Sequence, residues 1–113
     1  MSIVLKTFYQ PSTWRVIQLP RLHQCERGVC VLINGLPKDG RTFYLESTLE
    51  NDRFVYARCK QIGEGLFSIR DDLLIDGRNI YLYLFSDDTG AVGRSLQKWE
   101  LPIIRRPKRG YEV

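Results

Sequence analysis

The chain has 113 residues, 43% hydrophobic and 27% charged, a balance that suits one globular domain with a buried core. No apolar run approaches the roughly 20 residues that cross a bilayer. The first residues lack a basic region followed by a long apolar core, so a secretory signal and a membrane span are both excluded from the expectation.

The net charge is +4, but four of the 17 basic residues and only one of the 13 acidic ones fall within residues 105–113. The body is therefore close to neutral and the basicity is concentrated at the C-terminal end. A pI near 9.1 would otherwise suggest nucleic acid, and here it says only that the tail is basic.

Ile3 to Tyr9 is β-branched and aromatic with polar interruptions and reads as an opening strand, broken by Pro11. Thr13 to Leu19 reads as a second strand ended by Pro20. Arg21 to Gly28 is polar and reads as irregular. Val29 to Ile33 is a short apolar run suited to a strand covered on both faces. Asn34-Gly35 is a strong turn signal, since both residues tolerate positive φ, and Pro37 to Gly40 is a second turn.

Thr42 to Leu49 and Arg53 to Lys60 form a predicted hairpin around Glu50-Asn-Asp52. Leu66 to Ile69 is a further short strand. Asp71 to Gly77, with an acidic start, two leucines and a closing glycine, suits one helical turn. Ile80 to Phe85 carries aliphatics on one parity and aromatics on the other, so it is expected to be a central strand covered on both sides. Ser86 to Gly90 is a loop, and Val92 to Ile104 the last strand, with Pro102 at an edge or exit position.

The sum is an all-β fold: an antiparallel, immunoglobulin-like β-sandwich of about seven to eight strands, with one short helical turn near residues 71–76. Residues 1–104 are the sandwich domain and residues 105–113 a basic C-terminal arm.

Chemistry-bearing motifs are sparse. His23 is the single histidine, and no phosphate-binding glycine loop or nucleophile elbow is present. Cys25, Cys30 and Cys59 are an odd set in a chain without a secretory signal, which speaks against a disulfide framework. His23, Cys25 and Cys30 lack zinc-knuckle spacing, so the thiols are expected to be free and buried as small hydrophobes, with no metal or cofactor. Asp71-Asp72 and Asp87-Asp88 sit beside turns, where acidic residues satisfy local backbone groups.

The aromatics Trp14, Phe43, Tyr44, Phe54, Tyr56, Tyr81, Tyr83 and Trp99 have two readings. They are core and cross-strand pairs, or some form a stacking platform for single-stranded nucleic acid on a small OB-like barrel. Arg53, Arg58 and Lys60 favour the platform, and Glu46, Glu50 and Asp52 on the same hairpin oppose it. The arm, with Arg105, Arg106, Lys108 and Arg109 within five residues and Tyr111 beyond, is the candidate partner-binding site. Pro107 holds Arg106 extended.

One resemblance rests on Ile69, Leu73, Leu74, Gly77, Ile80, Tyr81, Tyr83, Pro102, Ile103, Arg106, Pro107, Lys108 and Tyr111. This order of short strand, Leu-Leu, glycine turn, Ile-Tyr-x-Tyr strand and Arg-Pro-Lys exit resembles small β-sandwich modules in minor structural proteins of tailed bacteriophages, including baseplate and fibre-like proteins. Val31 to Phe43 is similar to an early hairpin of such modules. In that family the Arg-Pro-Lys segment leads into further chain, whereas here the sequence stops a few residues later.

The resemblance implies a non-enzymatic virion component, made in the host bacterial cytoplasm. It would dock in multiple copies on a capsid, neck, tail or baseplate lattice through protein–protein contacts. Its expected partners are other virion proteins and further copies of itself, with neither membrane nor nucleic acid. Attachment is expected through the arm and through an exposed sheet edge able to accept a strand.

Overall fold

The computed structural model describes residues 3–10, 15–49, 57–75, 77–86 and 96–105. Its strands are β1 (Ile3–Phe8), β2 (Ile17–Gln18), β3 (Leu22–His23), β4 (Val29–Asn34), β5 (Phe43–Leu49), β6 (Ala57–Arg58), β7 (Lys60–Gly63), β8 (Leu66–Ser68), β9 (Ile80–Ser86), β10 (Gln97–Leu101) and β11 (Ile103–Ile104). Among the described residues a single 3-10 turn, Asp71–Leu74, interrupts them. The expected all-β character and the lone helical turn are both present.

β9 is central, as its composition predicts. It lies in a five-stranded sheet ordered β2-β10-β9-β5-β6. Ile80, Leu82 and Leu84 are fully buried, while Tyr81, Tyr83 and Phe85 on the other parity are only half-buried. The aromatic face was expected to be roofed by another layer. Instead it looks outward, covered in part by long side chains of the neighbouring strands.

A second sheet runs β1-β4-β8-β7, and a short third pairs β11 with β3. The inner faces of the two larger sheets share one hydrophobic cluster, with Leu5, Val29, Val31, Ile33 and Phe67 from one side and Leu45, Leu82, Leu84, Trp99 and Leu101 from the other. Burial of these side chains is the main favourable term in the fold.

Three features depart from a purely antiparallel pattern. β1 pairs parallel with β4, β2 parallel with β10, and β3 parallel with β11. Residues 17–24 run alongside residues 99–104, with Leu19 N–H donating to Glu100 O, Leu22 N–H to Pro102 O and Gln24 N–H to Ile104 O. Arg21–Gly28, read as irregular, therefore contains a strand. Pro102 divides the last predicted strand into β10 and β11. Having no N–H, it loses no ladder bond there.

The Asn34-Gly35 signal has a different outcome from a hairpin turn. Only Gly35 takes positive φ (83°). β4 pairs with β1 and β8, while β5 pairs with β6 and β9, so Val31 and Phe43 belong to different sheets rather than to one hairpin. The Thr42–Lys60 hairpin is present in its described part, with Glu46 opposite Arg58 and Ser47 opposite Ala57. The same strand continues through Cys59 into β7 of the other sheet, where it pairs with β8. Gly65, which closes that β7–β8 turn, has φ +67° and a Cβ there would lie 2.5 Å from Ile33 O.

The sheets are tied where the Trp99 indole Nε1–H donates to the Thr7 hydroxyl at 2.9 Å in a buried position. Nearby, Gln10 N–H donates to Gln97 Oε1 at 3.0 Å. Thr7→Val keeps the shape of the side chain but removes the acceptor, leaving a buried indole N–H unpaired. The expected cost is about 1–3 kcal/mol, read as a lower urea midpoint with unchanged denaturant slope.

Candidate functional site

The predicted arm begins on the body itself. Arg105 Nε–H donates to Gly77 O at 3.2 Å, and the Arg105 stem lies so close to Gly77 that a Cβ there would fall 2.9 Å from its Cγ. Gly77 is held at φ +70° beneath it. Gln24 completes the same corner, its Nε2–H donating to Ile75 O at 2.6 Å. Arg105 is therefore fastened to the segment between the 3-10 turn and β9. Arg106, Lys108, Arg109 and Tyr111 lie outside the described residues.

The acidic pair Asp71-Asp72 has local work. Asp71 Oδ1 accepts from Gly28 N–H at 3.0 Å, and Asp72 is paired with Arg70 at 2.6 Å. Asp87-Asp88 lies outside the described residues. No group of three or more His, Cys, Asp or Glu residues suited to a metal ion is found among the described residues. All three thiols are free, and Cys30 and Cys59 are buried as expected, but Cys25 is exposed, because it lies in the turn after β3 rather than on a strand.

A groove of about 320 Å³ lies between the loop after β4 and the β7–β8 turn, lined by Leu36, Pro37, Arg41, Phe43 and Glu64. Lys38 and Glu64 pair across it at 3.3 Å. Arg41 pairs with Asp39 at 2.9 Å, and its hydrogen bonds hold the Asp39 carboxyl below the usual range. Its charges are thus matched within the loops.

Two outward surfaces remain. On the five-stranded sheet, Tyr44 and Phe85 are cross-strand partners, and Tyr83 and Tyr81 follow along β9. The three tyrosine rings are covered by neighbouring cations. Lys98 Nζ lies 4.6 Å from the Tyr81 centroid and 5.2 Å from that of Tyr83, and the Arg58 guanidinium lies 4.4 Å from the Tyr44 centroid. Arg58 also pairs with Glu46 at 3.6 Å. Glu100 faces Tyr81 in register. These cations sit on the aromatic faces where a nucleobase would stack.

On the four-stranded sheet, Leu5 and Thr7 point into the core, and Val4, Lys6 and Phe8 point out. Phe8 is 62% exposed and Val4 45%. The next outward row, on β4, is Cys30, Leu32 and Asn34, followed by Ser68 and Leu66 on β8. Ile62, at the β7 irregularity, is also exposed. Sequence reasoning passed over Val4, Lys6 and Phe8. The alternation within Ile3–Phe8 was visible, but whether such a strand is internal or at an edge is a property of its neighbours. No protein-family model and no curated protein matches the chain.

The thiols supply a check on this geometry. Burial pushes the Cys59 thiol up to about 11, with Glu46 adding in the same direction and a hydrogen bond with Ser47 opposing. A thiol-reactive dye is expected to label Cys25 rapidly in the native protein, and Cys30 and Cys59 only on unfolding. The folded state also holds the Cys59 proton more tightly than the unfolded chain does. Cys59 therefore contributes stability that is present below pH 9.0 and lost as the pH rises toward about 11. Cys59→Ala is expected to flatten the alkaline arm of the stability profile relative to wild type, measured by urea unfolding at successive pH values.

Proposed function

We propose that the protein is a non-enzymatic attachment module, an immunoglobulin-like β-sandwich that docks through protein–protein contacts in multiple copies on a bacteriophage particle. The observation that carries this reading is the outward side of the four-stranded sheet, where Val4 and Phe8 stand in solvent beside half-buried Leu32 and Leu66. Apolar side chains gathered on one exposed face are a feature of surfaces that meet partners.

The phage context draws its support from the sequence pattern. Leu73 and Leu74 form the buried side of the 3-10 turn, Gly77 supplies the positive φ after it, and Ile80 opens the central strand. These are framework positions, so they speak for the module rather than for its partner. Location in a virion, assembly with capsid, neck, tail or baseplate proteins, self-association and synthesis in the host cytoplasm belong to the same proposal. Repeated copies would add their contacts, so that weak individual interfaces suffice.

The competing reading, a single-stranded nucleic-acid-binding barrel, draws on the row Tyr44, Phe85, Tyr83 and Tyr81 with its adjacent cations. Against it, Lys98 and Arg58 cover the rings, and Glu46 and Glu100 share the face. Oligonucleotide binding that weakens steeply with salt would favour this rival.

Because Arg105 is bonded to Gly77, the informative truncation begins after it. Removing residues 106–113 is expected to leave thermal unfolding unchanged and to abolish incorporation into particles. Incorporation at the wild-type level would count against the arm as the attachment element.

A further inference from the structure

The two larger sheets have four edges among the described residues, and they differ in kind. β2 is two residues long, too short to template a partner, and β6 is described only at Ala57–Arg58. β7 carries Lys60 and is broken by a register shift between Gln61 and Gly63. Short strands, lysines and bulges are the devices that keep sheet edges from pairing. β1 also carries a lysine, Lys6, but it is neither short nor bulged: its six regular residues are paired on one side only among the described residues, to β4.

The direction of its free groups follows from its ladder. Ile3 N–H donates to Gly28 O and Tyr9 N–H to Asn34 O, so the odd residues bond toward β4. Backbone groups alternate along a strand, and Val4, Lys6 and Phe8 therefore aim their N–H and C=O groups at the open edge. Their side chains are the three that point outward. An added strand would meet three donor–acceptor pairs, with its own side chains lying beside Val4, Lys6 and Phe8.

The charge on this edge selects the occupant. Lys6 lies opposite Leu32 on β4 and takes part in none of the ion pairs among the described residues. Two copies of β1 pairing antiparallel about their centres would set Lys6 against its own counterpart, a destabilising like-charge pair. A strand with an acidic residue at that point, flanked at two-residue spacing by apolar side chains opposite Val4 and Phe8, satisfies every group on the edge.

We propose that β1 captures an extended, acidic-centred segment of a partner protein as a fifth strand of this sheet, antiparallel to β1 and bonded to Val4, Lys6 and Phe8. This rests on the attachment reading and names the chemistry of the partner. The segment has the pattern apolar–x–acidic–x–apolar, and strand addition supplies main-chain hydrogen bonds while the alternate side chains set specificity.

The probe is a capped nine-residue peptide with valine, glutamate and phenylalanine at its three matching positions, titrated into the isotopically labelled full chain and followed by NMR. The expected result is a set of shifts centred on β1, with slowed amide exchange at Val4, Lys6 and Phe8. A peptide with lysine in place of the glutamate is expected to bind about threefold to tenfold more weakly. Lys6→Glu is expected to reverse that preference. Val4→Pro removes an outward donor that β4 does not use, and is expected to abolish binding while the β1–β4 ladder persists.

Several results would overturn the proposal: no shifts with either peptide at millimolar concentration, equal binding of the two, or shifts confined to the Tyr44–Tyr81 face. Concentration-dependent protection of β1 amides in the protein alone would assign the edge to a second copy and equally overturn it. The edge and the attachment role fail separately. A chain that binds the peptide but is absent from purified particles defeats the attachment reading alone. A chain that enters particles as Val4→Pro and ignores the peptide defeats the strand-capture proposal alone.

Discussion

The fold depends on how a tryptophan is accommodated between two sheets. Trp99 is fully buried on β10, and an indole brings a polar N–H with it into the interior. That group needs an acceptor, because an unpaired buried donor costs more than a hydrogen bond usually contributes. Thr7 supplies the acceptor from the opposite sheet. The requirement ties β1 to β10 across the two sheets. Gln97 extends the same seam, taking the Gln10 N–H on its Oε1 while its buried Nε2 has no partner among the described residues.

Placing β1 there has consequences for the surface. Because it runs parallel to β4, it joins the four-stranded sheet at the side, and its inward residues Leu5 and Thr7 complete the core. Its outward residues are then left facing solvent at an open edge. The opposite side of the molecule is arranged differently. There the strand through Cys59 passes from one sheet into the other, with Cys59 N–H donating to Leu45 O at 2.7 Å. That corner is closed by covalent continuity, and the β1 side is closed only by side chains.

The C-terminal corner follows the same logic of satisfied backbone groups. β11 pairs with β3, Ile103 N–H finds Asn79 Oδ1 at 3.1 Å, and Cys25 N–H finds Leu74 O. Cys25 takes φ 70° to do so, a conformation that non-glycine residues adopt rarely. The basic segment thus departs from a cross-braced corner, and Arg105 belongs to the brace.

Sequence by itself determined the all-β class, the central position of Ile80–Phe85, the one helical turn at Asp71 and the concentration of charge after Ile104. Each is written in side-chain alternation, turn chemistry or composition, which are local. Only the tertiary structure decided that three strand pairs are parallel, that Val31 and Phe43 belong to different sheets, that Leu22–His23 is a strand and that β1 is an edge. The alternation of Ile3–Phe8 is equally compatible with an internal strand and a border one, because the neighbours of a strand are chosen by contacts far away in the chain. Lys6 is the residue where this matters most. In sequence it interrupts an apolar run, and in the fold it stands at the centre of the long edge left open among the described residues.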